Sequence, residues 1–240
     1  MKYYLSTLSL CVALFFIGCS SDDGGSGGPE GPEMPEEVTA TYRLTLTTTF
    51  TAETHPTDFP TGAMFGPLFG LSHGNSTVLF REGQLSSAGF MNYVDTGNTG
   101  MLSQELNPLD DGDTNGDNTV VNITTGSTAG PSTTTSIDVV VTQSTQFISF
   151  AAALSPSPDW FIGIDRFDIV GDDGVLVESS GDIELLPFDA GFNAGVTYLS
   201  DPIEENTAVS PISGDPFTII DEGGFVIINP LATLTINRIN

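Results

Sequence analysis

Ser155-Pro156-Ser157-Pro158-Asp159-Trp160-Phe161-Ile162-Gly163-Ile164-Asp165 lies between two apolar, β-prone runs, Phe147 to Leu154 before the prolines and Trp160 to Val170 after them. Short runs of this kind, rich in Phe, Ile and Ala and split by proline, predict strand, loop and strand. Each proline fixes its own φ and restrains the residue before it, so Asp159 is delivered on a rigid loop at the mouth of the second strand. The only tryptophan of the chain stands beside it. A second stretch, Pro187-Phe188-Asp189-Ala190-Gly191-Phe192-Asn193, repeats the arrangement. There Glu184, Leu185 and Leu186 end a strand, Pro187 stops it, and Asp189 follows on a Gly-containing turn. Two rigidly presented acidic loops predict a cation site.

The same strand-and-turn grammar continues along the rest of the chain. From Ala40 the chain alternates, with Tyr42, Leu44, Leu46 and Phe50 against Arg43, Thr45, Thr47 and Thr49, the pattern of a half-buried strand. Thr54 to Gly74 reads as a long Pro-, Gly- and Phe-rich loop, followed by a short strand from Thr77 to Arg81. Ser86 to Asp95 fits a helical turn or a strand. Further strands are expected at Ser136–Thr142, Val175–Glu178, Asp182–Leu186, Thr197–Leu199, Phe217–Ile220, Phe225–Ile228 and Ala232–Ile239. Leu109 to Thr128 is polar and acidic and reads as a projecting loop around a short strand, Thr119–Ile123. No long 3.6-residue periodicity appears after the N-terminus, and the expectation is an all-β, antiparallel sandwich.

The chain has 240 residues and a formal charge of −26, with 31 acidic residues against five Lys and Arg. Phosphate binding needs a basic footprint, so nucleic acid is excluded as an expected partner. An acidic surface serves solubility, a saline habitat or divalent cations. Both cysteines, Cys11 and Cys19, fall in the first twenty residues, which leaves the rest of the chain without disulfide or thiol chemistry.

Residues 1–18 carry Lys2 and an apolar run from Leu8 to Ile17, too short for a membrane span of ~20 residues, and read as a signal peptide. The ending Phe16-Ile17-Gly18-Cys19 resembles a bacterial lipobox, in which the cysteine is lipidated and becomes the new N-terminus; an ordinary signal peptide cut elsewhere is the alternative. Residues 19–38 are Gly-, Pro- and acid-rich with almost nothing to bury, and are expected to form a disordered tether. Acidic residues directly after the cysteine resemble the surface-export signal of Bacteroidota lipoproteins. The expected location is therefore the bacterial outer membrane, surface-exposed, with membrane contact through the lipid anchor only. Residues 39–240 are expected to form the folded domain.

The two central stretches, SPSPDWFIGID and, from Asp182 to Gly195, DIELLPFDAGFNAG, resemble the paired signatures of the spondin N-terminal domain family, which occurs in extracellular-matrix spondins and bacterial secreted proteins. Weaker landmarks follow the family order upstream: Gly66-Pro67 to Ser72-His73, then Leu79-Phe80 with Gly83, then Ser87-Ala88-Gly89 to Asp95-Thr96-Gly97. The resemblance covers roughly residues 40 to 215. It implies a C2-like antiparallel β-sandwich that binds calcium through loops at one end. The ligands it implies fall on Asp159, Asp189 and Asn193. At Asn193 the family pattern has Asp, and a neutral carbonyl oxygen in its place implies weaker binding. An acidic ligand that some members add has Val140 at the matching place here, with Asp138 nearby. From the residues alone, magnesium or no ion stays open at this site, and Asp165, alternating with Ile164, is expected to face solvent.

Asp111-Gly112-Asp113-Thr114-Asn115-Gly116 matches the first half of an EF-hand loop, but its twelfth position is Asn122 where a bidentate Glu belongs, so a hydrated acidic loop is the better reading. Catalytic constellations are thin. His55 and His73 are the only histidines, no G-x-S-x-G elbow occurs, and His73 falls on a landmark of a family without known catalytic activity. The expected function is a non-catalytic, lipid-anchored, calcium-binding adhesion or ligand-binding module for an extracellular protein or glycan. An envelope polysaccharide hydrolase built on a carboxylate pair and a purely structural matrix component are the alternatives.

Overall fold

A computed structural model describes residues 39–107, 122–142, 145–171 and 174–240. In chain order the elements are β1 (Thr39–Thr48), β2 (Met64–Phe65), β3 (Phe69–His73), α1 (Ala88–Thr96), α2 (Thr99–Leu106), β4 (Asn122–Thr125), β5 (Thr134–Thr142), β6 (Phe147–Ser155), β7 (Trp160–Asp168), β8 (Ser179–Leu185), β9 (Pro187–Asp189), β10 (Ser210–Pro211), β11 (Thr218–Ile220), β12 (Val226–Ile228) and β13 (Ala232–Arg238). They form an all-β antiparallel sandwich. One sheet has the order β5-β1-β13-β8, the other β10-β9-β7-β6-β3-β4 with β2 on β6, and β11 and β12 make a two-stranded sheet of their own.

The alternation read in β1 is the alternation the sheet buries. Ala40, Tyr42, Leu44 and Leu46 point into the core, where they meet Ile137, Val139 and Val141 of β5 and Leu234 and Ile236 of β13. Across the sandwich, Ile148, Phe150, Ala152 and Leu154 of β6 and Trp160 and Ile162 of β7 close the same core. β6 is buried on its outer face too, where Ala151 and Ala153 join Phe69, Leu71, Phe80, Phe90 and Phe161 in a second cluster. That double burial explains its near-continuous apolar run.

The second cluster is where sequence and structure part. Thr77–Arg81, expected as a strand, is irregular, and Leu79 and Phe80 serve the outer cluster as buried plugs. The strand comes earlier, as β3, inside a stretch that reads as loop because of its glycines. Gly70 is required there by close packing, since a Cβ would meet the Ile137 Cδ1 methyl at 2.6 Å. Ser86–Asp95 resolves into α1, which is N-capped by Ser87 Oγ accepting from Phe90 N at 3.1 Å. Its Phe90, Tyr93 and Val94 cover the outer face of the second sheet. Thr197–Leu199 is a turn, and of Val175–Glu178 only Leu176 forms an isolated bridge, to Val170.

Candidate functional site

β6 and β7 are joined by the Ser155–Asp159 loop, which is braced from within: Ser157 Oγ donates to Leu154 O at 2.7 Å and accepts from Trp160 N at 3.1 Å. β7 then pairs antiparallel with β9 so that Trp160 opposes Asp189 and Phe161 opposes Phe188. The ladder extends one step further, with Ala190 N donating to Asp159 O at 3.1 Å. Two loops separated by about thirty residues are thus fixed side by side, and their carboxylates share one corner.

Asp159 has no exposed surface. Its Oδ2 accepts from Phe192 N at 2.8 Å and Asn193 N at 3.0 Å, whereas Oδ1 is buried with no hydrogen-bond partner. Burial first, and then the charge of Asp189, push its carboxyl from the ordinary 3.8 up to about 6, against the pull of the two backbone N–H groups. Asp189 is half-buried and its Oδ1 accepts from Gly191 N at 2.8 Å. Its carboxyl is also pushed up, chiefly by burial, with the Gly191 N–H opposing and Glu205 adding to the rise. The turn depends on Gly191, whose φ of +81° suits glycine and whose Cβ, if it had one, would lie 2.1 Å from Thr207 O.

Asn193 belongs to the same corner. Its Oδ1 accepts from Gly195 N at 3.2 Å and Ile203 N at 3.0 Å, and its Nδ2 donates to Pro158 O at 3.2 Å. Both lone pairs of the carbonyl oxygen are therefore engaged, and the side chain acts as a strut that ties the Pro158 loop to the returning chain. Glu205 is the residue that sequence reasoning missed. It is carried in by its N–H, which donates to Phe192 O at 3.0 Å, and its charge bears on both Asp159 and Asp189. No motif marks it; the acidic run from Asp201 to Glu205 is the only signal. Among the described residues, no group of three or more His, Cys, Asp or Glu side chains is placed to hold a metal ion.

The other candidates lie elsewhere. Asp138 is held by Arg43 through two contacts of 2.8 Å on the outer face of the β1/β5 sheet, and Val140 on the same strand is exposed. Asp165 does not simply face solvent, because it forms an ion pair with Arg81 at 2.9 Å with its side chain only 19% exposed. His73 is fully buried between Gly74 O and Ser149 Oγ, each at 2.8 Å. Since a carbonyl can only accept, Nδ1 carries the proton and Nε2 accepts from Ser149. His55 is buried likewise, with Nε2 3.1 Å from Asn229 O. Cys19 and the Asp111–Gly116 stretch lie outside the described residues.

The sequence pattern of the Spondin_N family matches residues 40–213. Human Spondin-2 is 28% identical over 185 residues, which are 72% of this chain and 54% of that protein. Chicken Spondin-1 is 28% identical over 170 residues, 68% of this chain and 20% of the relative. Xenopus laevis Spondin-1 is 28% identical over 217 residues, 84% and 25% respectively. The chain thus spans about half the length of Spondin-2 and a fifth to a quarter of Spondin-1. With a family match that runs from β1 through β10 and includes both acidic loops, the chain belongs to the Spondin_N family.

Proposed function

We propose that this chain is a non-catalytic adhesion or ligand-binding module of the cell surface, held by a lipid on Cys19, whose acidic corner binds calcium. The observation that carries the calcium reading is the unpartnered Oδ1 of Asp159, buried beside a second carboxylate, Asp189. Two like charges brought together in a poorly hydrated corner repel, and a bound cation offsets that cost. Calcium would supply positive charge and a demand for six to eight oxygen ligands. Asp159 and Asp189 would be its carboxylates, with backbone carbonyls and water completing the shell. Asn193 would enter as an oxygen ligand by giving up one of its two backbone contacts, and otherwise serves by holding the loops in register.

The placement suits presentation to a partner. Thr39 pairs with Thr142 at one end of the sandwich, and β6 runs from that end to Ser155, so the acidic corner lies at the opposite end. The end of the sandwich away from Thr39 is the one we assign to an extracellular protein or glycan. Catalysis finds little support. Asp159, without exposed surface, cannot reach a glycosidic oxygen, and both histidines are buried in hydrogen bonds.

Calorimetric titration of the calcium-free chain tests the metal reading. Binding of about one calcium per chain, lost in Asp189→Ala, is expected; no heat of binding, or binding that survives the substitution, would refute it. For the anchor, mass spectrometry of the mature N-terminus should find a lipidated Cys19, and an unmodified cysteine there would sink that part.

A further inference from the structure

The family match ends at residue 213, and between there and β13 the chain folds into a hairpin, β11 and β12, that joins neither sheet. In β11 and β12, Thr218 opposes Ile228, Ile219 opposes Ile227 and Ile220 opposes Val226. Ile228 packs against the core and fixes the base, while Ile220, Phe225 and Val226 farther out are 73%, 69% and 69% exposed. The tip is stiff. Asp221 Oδ1 accepts from Gly223 N at 2.9 Å and Phe225 N at 2.8 Å, and Asp221 N donates to Phe225 O at 2.9 Å. Three large apolar side chains are thus held in water on a preorganised ribbon, a condition that marks contact surfaces. Each strand of a two-stranded sheet also keeps one lateral edge that can accept another strand.

The charge around the hairpin selects the occupant. From residue 167 to residue 237 there is no Lys, Arg or His, whereas Asp215, Asp221 and Glu222 all belong to the hairpin and its base. Between the hairpin and the loop before β2 runs an open groove of about 710 Å³, with Pro56, Ile220 and Val226 among its walls and Glu53 and Asp215 as its acidic groups. A second copy would set Asp221 and Glu222 against their equals in a chain of net charge −26, and an anionic bilayer would be repelled in the same way.

We propose that this hairpin docks an extended, cationic segment of another protein. The segment adds along the free edge as a third strand, lays alternate apolar side chains over Ile220 and Val226, and sets its Lys or Arg against Asp221, Glu222 and Glu53. The proposal does not rest on the calcium site, which lies on other residues.

The test is fluorescence anisotropy of a labelled decapeptide of alternating Lys and Val with the purified full chain, in EDTA and in calcium. Binding is expected in both, falling with added salt, at least tenfold weaker in Ile220→Asp/Val226→Asp and retained in Asp189→Ala. The double substitution adds two negative charges, so attraction to the acidic surface in general would strengthen binding; equal or tighter binding by that variant overturns the proposal. Equal binding of a Glu-Val peptide, or no binding by the unsubstituted chain, does so too. Dimerisation in sedimentation that the double variant abolishes and the peptide does not displace would assign the hairpin to a second copy and likewise overturn it. Both positions are exposed, and an unchanged melting temperature shows that the variant is folded; Phe225→Ser, also exposed, should weaken binding independently.

Discussion

Trp160 and Asp189 are opposed partners in the antiparallel pairing of β7 with β9, and that one register places Asp159 and Asp189 in the same corner. A slip of one residue would turn Trp160 out of the core it shares with Tyr198 and Phe217, whose ring centroids lie 5.2 and 5.0 Å away. The carboxylate pair is thereby secured by aromatic packing rather than by attraction between the loops.

The raised carboxyl of Asp159 sets a sign for the pH dependence of stability. A group whose folded value of about 6 exceeds its ordinary 3.8 favours the folded chain fully below about pH 4 and loses that contribution as pH rises through 6. In EDTA, denaturant unfolding should therefore show stability falling between pH 4 and pH 6.5 by about 2 kcal/mol from this site. Asp159→Asn should flatten that window and be the more stable protein at pH 7 in EDTA. A variant whose profile matches that of the unsubstituted chain contradicts the assignment.

Asn193 can be probed in two directions. Asn193→Ala removes three hydrogen bonds that tie Pro158, Gly195 and Ile203 together and should cost about 2–3 kcal/mol. Asn193→Asp adds a negative charge to the corner and should lower stability in EDTA while increasing the stabilisation by calcium. The two conditions compared by chemical denaturation give the answer, and a calcium response smaller than that of the unsubstituted chain would count against Asn193 lying beside the ion.

Gly191→Ala must hold a left-handed residue against Thr207 O and should lose at least ~2 kcal/mol. The same substitution at Gly83, also at positive φ but with open space around its Cβ, should cost less. Equal losses at the two sites, measured by urea unfolding, would show that crowding at Thr207 contributes nothing.

Ser149→Ala leaves His73 Nε2 without its donor and removes the acceptor of Arg166 N, which lies 3.0 Å from Ser149 Oγ. Two buried polar groups are orphaned, and the expected loss is about 3 kcal/mol. Burial holds His73 below the ordinary histidine value, so the stability it contributes is present above pH 6.5 and is lost as pH falls through its lowered value. An NMR titration of the His73 ring should find its midpoint below the ordinary histidine value; a midpoint at or above that value would contradict the burial.

What the residues declared and what they concealed follow from locality. The period-2 pattern of β1 and the proline-bounded loop before Trp160 are local signals that suffice to place strands and an acidic loop, whereas Pro187–Asp189, which reads as a stop and a turn, is strand β9 because it pairs with the distant Trp160–Ile162 of β7. β3 is hidden because Gly70 serves a contact with Ile137 on another sheet, and α1 because its apolar face covers a surface made by distant strands. The same holds in the corner itself. Asn193 reads as a weak ligand in the chain, yet its bonds run to Pro158 and Ile203, and Glu205 enters only through the return of the chain to Phe192.

The most direct measurement is thermal unfolding of the full chain in EDTA and in millimolar calcium at pH 7.5, beside Asp189→Ala. Calcium should raise the melting temperature of the unsubstituted chain by several degrees and leave Asp189→Ala unmoved. Identical melting of the unsubstituted chain in the two conditions would contradict the calcium site.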